Sequence, residues 1–238
     1  MVLKEPIMTE QPQKNGYGLS GKRVVITQAA GFMGPSLVEA FSREGAEVIP
    51  DHRDLTHDKA ADNLVSEFKE IDILLINLAS QRQRIEATEI SDQQFLQPFE
   101  EMVYPLFRLG RSVLPQMIAR RRGKIIVIGS AAPLRPFANA TGYATARGAQ
   151  LAWVKAVGAE VAQHNVQVNG IAQIFVENQE YFPPAYLQTD EFKQRIAQVP
   201  AGRLGSAAEH AALSLFLASD QCNFISGQVV PFAGGWTT

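Results

Sequence analysis

Three residues of this 238-residue chain have the types and spacing to move a proton: Ser130, Tyr143 and Arg147. Tyr143 and Arg147 are four apart, so on a helix they share one face. A guanidinium beside a phenol favours the phenolate, the form in which a tyrosine serves as general base. Ser130 follows the apolar run 124–129 and falls at the carboxyl end of an expected strand, where its hydroxyl can hold the same substrate oxygen. A Tyr–Arg pair at helical spacing reads, by itself, as ordinary packing. Ser130 at a strand end is what turns the pair into a candidate catalytic set.

The elements that must position these residues are legible as alternating patterns. Short β-branched or continuous apolar runs predict strands at 22–27, 46–50, 71–77, 124–129, 166–172 and 228–231. Helical patterns fall between them at 35–44, 58–70, 143–164 and 207–218, with Gly45 as the stop of the first. A long helical stretch opens at Ser91 and reaches Arg121, with breaks expected at Pro105 and Pro115. Strands that are apolar on both faces and alternate with helices predict an α/β fold: a single Rossmann-like, doubly wound parallel sheet with helices on both faces. The stretch between the second and third strands has room for one helix only. Residues 1–20 are polar and mixed in charge and read as a flexible tail, leaving 21–238 as the catalytic domain. In such a sheet the site lies just past Ile26, Ile76, Ile128 and Ile171, at the strands' carboxyl ends.

Composition excludes several classes. A net charge of -2 gives no reason to expect nucleic acid, and no apolar run reaches membrane-spanning length. The basic cluster Arg120, Arg121 and Arg122 sits where a helix should end and reads as complementing its dipole. Cys222 is the lone cysteine, which excludes an intrachain disulfide and makes a reducing cytoplasm the expected compartment. His52, His57, His164 and His210 lack metal-ligand spacing, so no metal is expected.

The arrangement Ser130-x12-Tyr143-x3-Arg147 resembles the Ser/Tyr/Lys centre of the short-chain dehydrogenases and reductases, with Arg in the Lys position. Leu114-Pro115-x-Met117, Asn77-x-Ala79 and Gly234-Gly235-Trp236 are further family-like landmarks, and the resemblance covers residues 20–238. The resemblance also exposes departures. A nicotinamide enzyme of this superfamily carries Thr-Gly-x3-Gly-x-Gly after its first strand, glycines that let the backbone approach a pyrophosphate. Here the stretch is Thr27-Gln28-Ala29-Ala30-Gly31-Phe32-Met33-Gly34. Gln28 and Phe32 replace the first two glycines, and Gly34 alone keeps its place. Met102 stands where the family's relay Asn belongs, and Gln173-Ile174 replace its usual Pro-Gly pair. Asp51 lies near the spacing of a ribose-binding acid, but a solvated turn after Pro50 is the favoured reading.

Thr27-x4-Phe32-x-Gly34 together with the Ser/Tyr/Arg set is similar to the paired signature of halohydrin dehalogenases. That resemblance implies closure of vicinal halohydrins to epoxides with no cofactor, and the reverse opening of epoxides by small anions. It assigns Ser130, Tyr143 and Arg147 to catalysis. It places Phe32 and the loop residues Gln173, Ile174, Phe175 and Val176 around a halide in the vacated cofactor site. Phe137 and Phe182 fall where the family puts substrate-pocket aromatics, with ordinary core packing as the other reading. The expected partners are a small halohydrin or epoxide, halide and further copies of the chain in a homotetramer. The terminal Gly-Gly-Trp segment either approaches a neighbouring subunit or caps the sheet. Two competing readings are an NAD(P)-dependent reductase with an unusual first loop, and a ligand-sensing member of the fold without activity.

Overall fold

The computed structural model describes residues 16–237. Six parallel strands form one sheet: β1 (Arg23–Ile26), β2 (Glu47–Pro50), β3 (Ile73–Asn77), β4 (Gly123–Ser130), β5 (Val166–Gln173) and β6 (Val229–Phe232), in the order β2-β1-β3-β4-β5-β6. Every residue of β3 and β5 is buried, as strands covered on both faces require. Helices α1 (Gly34–Arg43) and α8 (Ala207–Ala218) pack on one face through Leu37, Phe41 and Leu215. Helices α2 (Ala60–Phe68), α4 (Tyr104–Arg120) and α5 (Thr141–Val161) cover the other through Leu64, Leu109 and Val154. The Rossmann-like α/β architecture expected from the strand and helix patterns is the one observed.

Register then sets the site. Ile26 pairs with Leu75, and Ser130 pairs with Gln173, which in turn pairs with Phe232. The carboxyl ends of four strands therefore finish close together. The chain turns outward to β2 after β1 and returns on the other side at β3, so the β1–β3 crevice is the switch point where such sheets bind ligands.

The expected 91–121 helix is three pieces: α3 (Asp92–Pro98), a wide π-helical turn (Phe99–Val103) and α4. Ser91 caps α3 with a full capping box to Gln94, worth about 1 kcal/mol over alanine. The break falls ahead of Pro105 rather than at it. Pro105 has no N–H to return to Glu101, so the preceding turn widens and Tyr104 bonds back to Phe99 instead. Pro115 breaks nothing; the carbonyl it leaves free belongs to Arg111, an exposed residue.

Two other expectations are corrected, and one, the basic cluster at the end of α4, is extended. The tail expected over 1–20 lies outside the described residues up to 15, but from Gly16 the chain is anchored. Leu19 is buried, and the Tyr17 carbonyl accepts from the Asp220 N–H. Arg120 and Arg122 do not merely face a helix end: both pair with Glu70, at 2.5 and 2.6 Å, and reach toward Asp72. Two short helices, α6 (Pro184–Leu187) and α7 (Asp190–Ile196), occupy a region the patterns left as loop. Among the described residues no helix is long and apolar enough to cross a membrane, and no acidic, His or Cys cluster could hold a metal ion.

Candidate active site

The strand ends open onto a cavity of about 700 Å³. Ser130 and Tyr143 border it, as do Phe32 from the β1 loop, Phe137, and Phe182. Gln173, Ile174, Phe175 and Val176 form the wall after β5. Arg147 lies behind this lining, 0% exposed, on α5 one turn beyond Tyr143.

Arg147 is held on every side but one. Its Nε donates to the Tyr143 hydroxyl at 3.1 Å, and one terminal nitrogen donates to the Ile128 carbonyl at 3.2 Å and to Gln150 Oε1 at 2.9 Å. Its other terminal nitrogen has no hydrogen-bond partner among the described residues. Gln150 Nε2 donates in turn to the Met102 carbonyl at 3.2 Å. That carbonyl sits in the π-helical turn, so the irregularity before Pro105 anchors the amide that orients Arg147. Gln150 was not singled out from sequence, although its position three residues past Arg147 puts it on the same helix face. Ser130 is buried, and its Oγ accepts from the Ala132 N–H at 3.1 Å, leaving the hydroxyl proton free to point into the cavity.

The β1 loop is tied down. Asn77 Nδ2 donates to the carbonyls of Gln28 and Gly31, and Gln28 Oε1 accepts from the Ala79 N–H at 2.9 Å. A Cβ at Gly34 would collide with the Ala29 carbonyl, which explains why this glycine keeps its place. Gln28 and Phe32 both hold left-handed backbone, at φ 45 and 54°. Such a conformation costs a bulky residue on the order of 1–2 kcal/mol. Phe175, across the cavity, has φ 54°. Both walls thus carry a strained phenylalanine, the kind of outlier that clusters at functional sites.

The arrangement does not fit a nicotinamide dinucleotide. The cavity's lining on the first loop is Phe32 alone; Gln28, Gly31, Asp51 and Asn77 do not border it. Where a pyrophosphate would need free N–H groups, Phe32 N–H donates to the Glu180 carboxylate at 2.5 Å. A carboxylate there repels phosphate. Asp51 is corrected as well: it is not a solvated turn residue. It is 4% exposed, its backbone continues the β1–β2 pairing, and Arg53 Nε holds one of its oxygens at 2.5 Å. Burial, set against the Arg53 contacts, raises its carboxyl above the usual range.

The wall after β5 also needs revision. The Ile174 N–H donates to the Phe232 carbonyl at 3.1 Å and is already spent. The N–H groups of Phe175 and Val176 have no hydrogen-bond partner among the described residues. Phe175 packs edge-on to Trp236, on which Phe137 stacks at 5.5 Å. The C-terminal Gly-Gly-Trp segment therefore folds back behind its own cavity's aromatic wall. Tyr181, missed from sequence beside Phe182, meets the Phe32 ring edge-on at 5.5 Å and donates to the Ser80 carbonyl at 3.1 Å. Burial, with Tyr143 beside it, pushes the Tyr181 phenol up to about 12, so it stays a neutral donor.

Comparison with known proteins gives a mixed set. The family model described as enoyl-(acyl carrier protein) reductase matches residues 19–237. A 3-oxoacyl-(acyl-carrier-protein) reductase of Salmonella typhimurium is 34% identical over 174 residues, 73% of this chain and 70% of that one. Its counterpart in Escherichia coli K12 is 29% identical over 240 residues, 90% of this chain and 97% of the other. A solved structure described as "Dehalogenation enzyme" superposes with a TM-score of 0.82 at 32% identity, over 92% of this chain and 99% of that chain. A gluconate 5-dehydrogenase from Burkholderia cenocepacia J2315, solved with NADP and tartrate, gives 0.85 at 25% identity, over 93% and 97%.

Proposed function

The chain belongs to the enoyl-(acyl carrier protein) reductase family within the short-chain dehydrogenase/reductase superfamily, and we propose that it works there as a cofactor-independent halohydrin dehalogenase. One observation carries this reading. A tyrosine hydroxyl bonded to a buried guanidinium faces a cavity whose nucleotide end is closed by Phe32 and by Glu180. The solved dehalogenation enzyme at 32% identity is compatible with it.

In the proposed reaction, Ser130 and Tyr143 hold the substrate hydroxyl, and Arg147 Nε, donating to the Tyr143 oxygen, holds that oxygen in place. Tyr143 takes the hydroxyl proton. The freed oxygen pair attacks the neighbouring carbon from the back, the carbon–halogen bond breaks, and its electron pair leaves as halide. One halohydrin becomes one epoxide, one halide ion and one proton, with no change of oxidation state. The halide departs toward Phe32 and the N–H groups of Phe175 and Val176, with Gln173 and Ile174 shaping that wall. Phe137 and Phe182 flank the organic part of the substrate. The protein's contribution is orientation and anion stabilisation. Small anions such as azide, cyanide or nitrite should open epoxides in the reverse direction.

The test is bromide release from a simple bromo-alcohol by protein given no nicotinamide, alongside titration with NADH and NADPH. Release without cofactor supports the reading. No release, with micromolar dinucleotide binding, replaces it by the reductase activity that the acyl-carrier-protein reductases suggest. We also propose a homotetramer assembled through α4 and α5, since Tyr104 and Phe107 on α4 are exposed aromatics. A gel-filtration mass of one chain, 26.1 kDa, would contradict that assembly.

A further inference from the structure

The cavity has a second end that the proposed reaction leaves without a task. It begins at buried Ser130 and reaches solvent at exposed Arg84 and Glu191. Three guanidiniums border that outer end: Arg82, Arg84 and Arg195. Two of them are satisfied. Arg84 pairs with Glu191 at 3.3 Å, and Arg195 donates to the Tyr186 hydroxyl at 2.9 Å and lies 3.8 Å from Glu191. Arg82 differs. It is half-buried and has no hydrogen bond or ion pair among the described residues; its recorded contact is the Phe137 ring, 5.2 Å from the guanidinium carbon. Arg195 lies over the same ring at 5.7 Å. Phe137 thus carries two cations.

Half-buried cations gathered without an equal number of acids are costly, and proteins pair them or use them. Burial lowers the Arg82 guanidinium, and the neighbouring Arg195 and Arg84 lower it further. At this end Arg84 and Arg195 share Glu191, and Arg82 is the guanidinium with no acid against it among the described residues. One carboxylate supplies the acid that Arg82 lacks, while a phosphate dianion would bring a second negative charge toward Glu191. A planar carboxylate also matches the five-donor fork that Arg82 has free. Between this end and Tyr143 the walls are aromatic, through Phe137, Phe175 and Phe182.

We propose that Arg82, with Arg195 beside it, is a carboxylate-binding subsite, so that the protein's own substrates are halohydrins or epoxides with an apolar spacer ending in a carboxylate. This substrate class rests on the dehalogenase reading; the subsite itself does not.

Two measurements separate the two. The first is equilibrium binding of hexanoate and hexanamide by calorimetry, which needs no turnover. Wild-type protein should bind hexanoate about tenfold more tightly than hexanamide, the size of one charge-assisted contact. Arg82→Met should erase that preference, and Arg82→Lys should retain part of it, keeping charge but losing the fork. Equal binding of acid and amide by wild-type protein, or a preference that survives Arg82→Met, overturns the subsite. The second is bromide release from terminal bromohydrins ending in a carboxylate against the same molecules as primary amides. The acid-to-amide ratio of kcat/KM should fall about tenfold in Arg82→Met. A ratio near one in wild-type protein with both compounds turned over leaves the dehalogenase reading standing and refutes the substrate class. If neither compound releases bromide, the dehalogenase reading fails, and the hexanoate result alone decides the subsite.

Discussion

The ends of β1 and β4 face the same cavity and handle charge in opposite ways. Past β4, a hydroxyl, a phenol and a guanidinium stand on regular structure, with Arg147 locked by Gln150 and the Ile128 carbonyl. Past β1, the backbone is strained at Gln28 and Phe32, and a carboxylate reaches in from a distant loop. The proton-handling half matches the reductase pattern apart from Arg147 and Met102, while the half that would cradle phosphate is rebuilt. A site grafted on a shared fold can thus keep one half of its chemistry and exchange the other.

The comparison can be broken or sharpened experimentally. The largest effect is expected at β4. Tyr143→Phe removes the proposed base and should lower bromide release by about 10³-fold or more; full activity in that variant ends the mechanism. Gln150→Leu frees the Arg147 guanidinium without touching substrate. It should lower kcat by about tenfold with KM little changed, the signature of an interaction that matters in the transition state. At the β1 end, Phe32→Gly should weaken inhibition by bromide about fivefold, roughly 1 kcal/mol of lost aromatic and packing contact. The same variant should still fail to bind NADH, because Glu180 remains on the loop; micromolar binding would mean that one ring is the whole difference between the two regions. Smallest is Glu180→Gln. Removing the competing charge should tighten bromide inhibition about threefold, less than 1 kcal/mol at an exposed site.

Legibility followed the same division. β3, β4 and β5 were readable because short continuous apolar runs between helices have one good fate, a strand covered on both faces. Ser130, Tyr143 and Arg147 were readable because spacing along a strand–helix unit fixes their neighbourhood. Phe32 was readable as a misfit in a glycine loop. What escaped was tertiary. Arg82 and Arg195 meet over Phe137 from segments far apart in sequence, and no periodicity marks such a meeting. Glu180 and Tyr181 reach the β1 loop in the same way. Asp51 was misread because the residue that pairs with it, Arg53, gives no signal of its own. Helix α7 was missed for its shortness, although Thr189 caps it through the Phe192 N–H and two acids follow in its first turn.

Arg147 remains a cation sealed inside the protein, with a phenol, a carbonyl and an amide for company and one nitrogen without a partner among the described residues. A fold that encloses a charge of this kind is tuned by its salt. An anion settling near Phe32, whose ring is 6.0 Å from that guanidinium, favours the native state over the unfolded chain by mass action. Sodium bromide should therefore raise the melting midpoint above that in sodium acetate of equal ionic strength, by about 2–4 °C for each 1 kcal/mol of binding. Superimposable melting curves would mean that the enclosed charge is felt by Tyr143 and by nothing that arrives from solution.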